Sequence, residues 1–168
     1  MIDVFIPGNP APQGRKRHVG GGVMIESSKK VKPWRESIRS ALIDDKGKPI
    51  GRIEGPVVTV LEFVMPRPGY LHAPSYIKGK KRTPPMDKRP DLDKAERAAN
   101  DAMKSAGVYR DDSCINLTFK GKRYAEIGEA SGLRIQLFAF DQDAWAILDA
   151  AMSRLVEIEG TRVFKEAA

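Results

Sequence analysis

The sequence predicts a mixed α/β (α+β) fold, a mixed β-sheet packed with helices, and three observations carry that prediction. Runs with strand character alternate with apolar stripes at helical spacing, in the order β, hairpin, α, β, α, β, β, α. The 168 residues suffice for one domain with a sizeable core and are too few for two ordinary ones. No internal repeat divides the chain.

Each element has its own signal. Ile2 to Ile6 is short, apolar and rich in β-formers, and it stops at Pro7. Gly20, Gly21 and Gly22, between Val19 and Val23, mark a hairpin tip within Val19 to Glu26. From Ser28 to Ile43, the residues Val31, Trp34, Ile38, Ala41 and Leu42 form one apolar helix face, with Pro33 in the first turn. Val57 to Met65 reads as a buried strand. A second helix starts near Asp91 or Leu92, buries Leu92, Ala95, Ala99, Ala102, Met103 and Ala106, and stops at Gly107. Its small apolar side chains suit close packing on a sheet. Ile115 to Tyr124 and Leu133 to Phe140 are alternating strands joined by an acidic, glycine-containing turn. Trp145, Ile147, Leu148, Met152, Leu155 and Val156 suggest a C-terminal helix.

The formal net charge is +7, from 29 Lys and Arg against 22 Asp and Glu. That bias favours nucleic acid or another anionic surface as partner. Cys114 is the single cysteine, so no intramolecular disulfide and no Cys/His zinc site is expected. A start without a basic leader, and no apolar stretch near the roughly 20 residues that span a bilayer, lead to the expectation of a cytoplasmic protein with no membrane partner.

Carboxylates gather beside the most basic loops. Asp91 and Asp93 are two residues apart, so on a regular helix they diverge by about 200°. They converge only if Asp91 lies in a non-helical lead-in, which Pro90 favours by fixing its own φ. Two acceptors brought together there can grip a divalent metal. An ordinary structural role stands beside this one, because Asp at a helix start caps free N–H groups and suits the helix dipole. Asp93 and Glu96 have capping-box spacing, and Asp111 with Asp112 is an ordinary turn composition before a strand. Asp112 reaches the first pair only if its turn folds back or a neighbouring subunit supplies it. Arg97, four residues after Asp93, either forms a salt bridge with it or stabilises charge on a phosphate.

Residues 66 to 90 carry Arg67, Lys78, Lys80, Lys81, Arg82, Lys88 and Arg89 against Asp87 alone, with Tyr70, His72 and Tyr76 interleaved. A long loop of this composition can track a phosphate backbone and stack on unpaired bases, or act only as a solubilising insertion. Pro12 to His18, with Arg15, Lys16 and Arg17, is a second cationic loop in which Gly14 permits close backbone approach.

PGNPAPQGRKR near the start, RPDLDKAER, and GVYRDDS about 20 residues after the first aspartate together resemble the RusA family of Holliday junction resolvases, from about Ile2 to Phe140. The resemblance implies a nuclease domain over 1–140, with 141–168 a C-terminal helical extension. It implies a homodimer that binds four-way DNA junctions and cuts two opposed strands symmetrically with Mg2+, Mn2+ being a substitute. The implied catalytic, metal-binding aspartates are Asp91, Asp93 and Asp112. The family's lysine six residues after the first aspartate falls on Arg97, which keeps the charge but not a lysine's point-donor geometry. Arg15, Lys16, Arg17, Lys78, Lys80, Lys81, Arg82, Lys88 and Arg89 are the expected DNA contacts. The alternative function is a branched- or single-stranded-DNA-binding protein without catalysis.

Overall fold

A computed structural model of the chain describes residues 1–14, 28–72, 83–141 and 143–146 in full, and the backbone alone for 16–18 and 24–26. Its elements are β1 (Ile2–Pro7), β2 (Lys16–His18), β3 (Met24–Glu26), α1 (Val31–Ala41), β4 (Val57–Met65), α2 (Leu92–Ala106), β5 (Ile115–Tyr124) and β6 (Gly132–Ala139). The order expected from periodicity holds through β6.

Four strands form a mixed sheet in the order β1-β6-β4-β5. β6 runs antiparallel to both β1 and β4, whereas β5 runs parallel to β4. A parallel neighbour requires a crossover, and α2 provides it. Sequence periodicity left β5 and β6 as consecutive strands joined by a turn, but β4 stands between them. The segment 125–131 rounds the end of β4, where the Ala125 N–H donates to the Met65 carbonyl at 2.8 Å. The reason lies in composition: β4 is buried along nearly its whole length and takes a central position, whereas β5 carries Lys120 and Lys122 and tolerates an edge.

One face of the sheet carries the core. Ile2, Ile6, Leu61, Phe63, Leu133, Ile135 and Leu137 meet Trp34, Ile38 and Leu42 from α1 and Ala95, Ala99, Ala102 and Met103 from α2. Burial of each large apolar side chain contributes about 1.5–3 kcal/mol. The alanines on α2, Ala98 included, are buried, so the helix backbone lies close to its neighbours. Gly107 ends α2 at φ 78°, a left-handed conformation suited to glycine. Thr59, the polar side chain buried in β4, is satisfied across the strand pair by Thr118 Oγ1 at 2.8 Å.

Three expectations change in detail. The first basic loop is partly strand, because Lys16 and Arg17 belong to β2, which pairs with β3 in a separate hairpin. Its tip at 19–23 and Arg15 lie outside the described residues. In the second, Arg67 is withdrawn from solvent, with its side chain 8% exposed. It donates to Thr83 Oγ1 at 2.6 Å and to the carbonyls of Leu71 and Ala125 at 3.0 and 3.1 Å, so it fastens the loop base. Lys78, Lys80, Lys81 and Arg82 lie outside the described residues. At the C-terminus, residues 143–146 are helical and Trp145 meets Phe140 edge-on at 4.9 Å, while 147–168 lie outside them. Among the described residues no helix is long and apolar enough to cross a membrane.

Candidate active site

The head of α2 is built from an unusual use of its charged residues. Asp91 is extended, at φ −66° and ψ 132°, so it belongs to the non-helical lead-in, and the Arg89–Pro90 peptide before it is cis. Its carboxylate does not cap the helix. Instead it pairs with Lys94, whose hydrogen bond and charge hold the Asp91 carboxyl below the usual carboxylate range, with Arg89 and Lys122 acting in the same sense. The capping-box arrangement of Asp93 and Glu96 is not formed either: Asp91 holds the N-cap position, so both lie inside the helix, and Glu96 pairs with Lys120 on β5. Asp93 and Arg97 are exposed, and neither side chain has an ion-pair partner among the described residues. The salt bridge that their spacing allows is absent.

A cleft of about 600 Å³ opens beside Asp91. Asn9 to Gly14 form one wall, and Arg89, Pro90, Asp91 and Lys94 form the other. The N-terminal wall is docked on α2 by the Gln13 N–H, which donates to the Lys94 carbonyl at 3.0 Å. Arg35 reinforces it by gripping Asp101 at 3.2 Å, the same carboxylate that accepts a long 3.4 Å bond from Gln13. Lys88 and Arg89 are exposed at this side of the molecule.

The second acidic motif divides its residues between structure and solvent-facing chemistry. Val108 and Tyr109 are buried, and the Tyr109 hydroxyl donates to the Asn100 carbonyl at 3.1 Å, which folds the segment back along α2. Burial, followed by the nearby aspartates, pushes the tyrosine pKa up. Asp111 accepts from the Ser113 N–H and from Lys104 at 2.5 Å, so its pKa falls to about 2. Asp112 is treated differently. One of its oxygens is buried without a hydrogen-bond partner, and its pKa is raised chiefly by burial, with Asp101 and Asp111 opposing ionisation and Lys104 favouring it.

The fold-back brings Asp112 beside Asp101 and Lys104, not to Asp93. From Asp93 to Asp101 is eight residues, or about 12 Å along a helix axis. Among the described residues no three metal-ligating side chains gather in one place. The donors nevertheless suit a hard divalent cation: carboxylate oxygens only, two of the three exposed, the third with an oxygen lacking any partner. Sequence reasoning missed Gln13, Arg35, Asp101 and Lys122 as organisers of this region. Asp101 alone left a signal, since it shares the polar side of α2.

Carboxylates beside exposed cations, on a basic chain, are equipment for phosphodiester hydrolysis, and the class they define is the endonucleases. The family model described as Endodeoxyribonuclease RusA matches residues 7–137, and the chain belongs to that family. Endonuclease action on Holliday junctions, the four-way branched form of DNA, follows from this membership. Nucleases of this type generally use a divalent metal. Catalysis, not binding alone, is therefore the function. No curated protein matches the chain.

Proposed function

We propose that the chain resolves Holliday junctions by symmetric paired nicking as a homodimer, dependent on Mg2+ with Mn2+ as substitute, and that Asp91, Asp93 and Asp112 hold the ion. The observation that carries this reading is the buried oxygen of Asp112, an acceptor with no hydrogen-bond partner among the described residues, in the turn that follows the helix bearing the exposed carboxylate of Asp93. A carboxylate left in that condition is stabilised by a cation. The axial gap of about 12 Å favours a site completed across the dimer, with Asp112 contributed by the other subunit.

The residues divide the work. Asp91 and Asp93 present oxygen donors at the head of α2, and the Lys94 pair keeps Asp91 ionised. The bound ion supplies Lewis-acid polarisation of the phosphate and a more acidic water. Arg97, exposed and without an ion-pair partner among the described residues, offers its guanidinium to the charge that develops on the phosphate. Lys88 and Arg89 bind flanking phosphates at the cleft, and Arg15, Lys16, Arg17, Lys78, Lys80, Lys81 and Arg82 track the junction arms. Contacts of this kind fix position without reading bases, which suits a target recognised by its shape.

A labelled four-way junction incubated with the protein and Mg2+ should yield paired nicks that EDTA abolishes. Asp91→Asn should lower the cleavage rate at least about a hundredfold while junction affinity persists. The reading is lost if purified dimer gives no nicks with any divalent ion, or if Asp91→Asn loses binding and cleavage together.

A further inference from the structure

We propose that Lys122 is the positioning residue for Asp91. Its ammonium lies on the Lys88 carbonyl at 2.6 Å and the Pro90 carbonyl at 2.9 Å, bracketing Arg89. The inference rests on the reading of Asp91 as a metal-holding residue and deepens it.

Lys122 stands on β5 opposite Phe63 of β4, in a register that continues to Tyr124 and Met65. It is therefore anchored to the central sheet, while the segment it grips is a loop whose Lys88 and Arg89 are exposed. Bonds from an ammonium to carbonyls are roughly twice as strong as neutral ones. Two of the three ammonium protons go to main-chain oxygens just before Asp91 and, among the described residues, none to a carboxylate, so the contact fixes backbone. Lys122 makes these bonds although it adds a third positive charge beside Lys88 and Arg89. Placing two such bonds on the main chain that leads into Asp91 makes sense if Asp91 must be held in one orientation.

The neighbouring lysine on the same face of β5 completes the arrangement. Lys120 takes Glu96 of α2, so a second lysine ties the same edge strand to the helix. Between them, the two lysines of the edge strand fasten the lead-in to α2 and its first turns to the sheet. Outer partners of metal-holding groups typically change metal affinity by about 10–100-fold when removed.

The test compares Lys122→Met and Lys122→Arg with the unaltered protein. Mn2+ alone is titrated by electron paramagnetic resonance, and junction cleavage is followed against metal concentration. Lys122→Met should weaken Mn2+ binding and raise the half-maximal metal concentration, each by about tenfold. Junction affinity without cleavage should stay within about twofold, with an unchanged salt slope. Lys122→Arg, which keeps charge and donors, should recover most of the loss, and in an Asp91→Asn background Lys122→Met should have no further effect on Mn2+. Wild-type metal dependence in Lys122→Met overturns the proposal. So does lower junction affinity with a salt slope reduced by about one, the mark of a phosphate contact. Should Lys122→Met fail to fold, Lys122→Gln is read by the same criteria. Failure of the unaltered protein to bind Mn2+ or to cut counts against the proposed function, whereas an active parent with an indifferent Lys122→Met counts against Lys122 alone.

Discussion

Side by side in the chain, Asp111 and Asp112 are put to opposite uses. Asp111 is tied to Lys104 and the Ser113 N–H, so its folded-state pKa, about 2, lies below the ordinary 3.8. A lowered carboxylate pKa contributes stability that is present above the unfolded value and lost as pH falls through the folded one. Asp111→Asn should therefore lower the melting temperature at pH 7, and the gap to wild type should close between pH 3.8 and about 2. Both partners are nearly half exposed, so the effect should be modest and shrink with salt. Asp112 holds an oxygen that nothing among the described residues satisfies, and removing its buried charge relieves a cost. Asp112→Asn should leave the melting temperature equal or higher while abolishing cleavage; a clear loss of stability would make Asp112 structural.

At the scale of the elements, the close pairing of β1 and β6 sets a constraint that periodicity does not reveal. Gly132 faces Pro7, and a Cβ there would lie 2.3 Å from the Ile6 carbonyl oxygen and 2.7 Å from Phe5 Cζ. Backbone cannot yield as a flexible side chain does, so Gly132→Ala should destabilise by about 1–3 kcal/mol in denaturant unfolding. A midpoint within error of wild type would show that the strands separate freely. Element types and ends were legible because stripes such as Val31, Trp34, Ile38 and Leu42 express helix geometry, and Gly107 expresses a helix stop. Strand neighbours were not legible: Ile115 to Tyr124 alternates whether it pairs with β4 or β6, and only the crossover through α2 decides. In the site, the positions of Asp91, Asp93 and Asp112 on their elements were legible from spacing. Their side-chain partners were not, since Glu96 is drawn away by a lysine 24 residues later and Lys122 binds main chain, which has no sequence signature.

The whole molecule poses the question that no single helix answers, namely how one ion meets Asp93 near the head of α2 and Asp112, which lies past the helix end beside Asp101, about 12 Å further along the axis. Two-fold pairing resolves it if each site takes Asp91 and Asp93 from one subunit and Asp112 from the other, and it would place two equivalent sites on the junction, as the proposed paired nicking requires. Mixed dimers separate this arrangement from one confined to a subunit. Asp91→Asn and Asp112→Asn are each silent alone in either case. Unfolded together and refolded, they form heterodimers in about half of the population. With sharing, one site of such a heterodimer carries both substitutions and the other carries neither. The mixture should then regain about a quarter of the wild-type site concentration, and its product should be singly nicked junctions, because the second site of the same dimer is dead. With sites confined to one subunit, every site in the mixture bears a substitution and the preparation stays silent. The restored nick thus depends on which subunit supplies Asp112, and a silent mixture of demonstrably exchanged dimers rules out sharing.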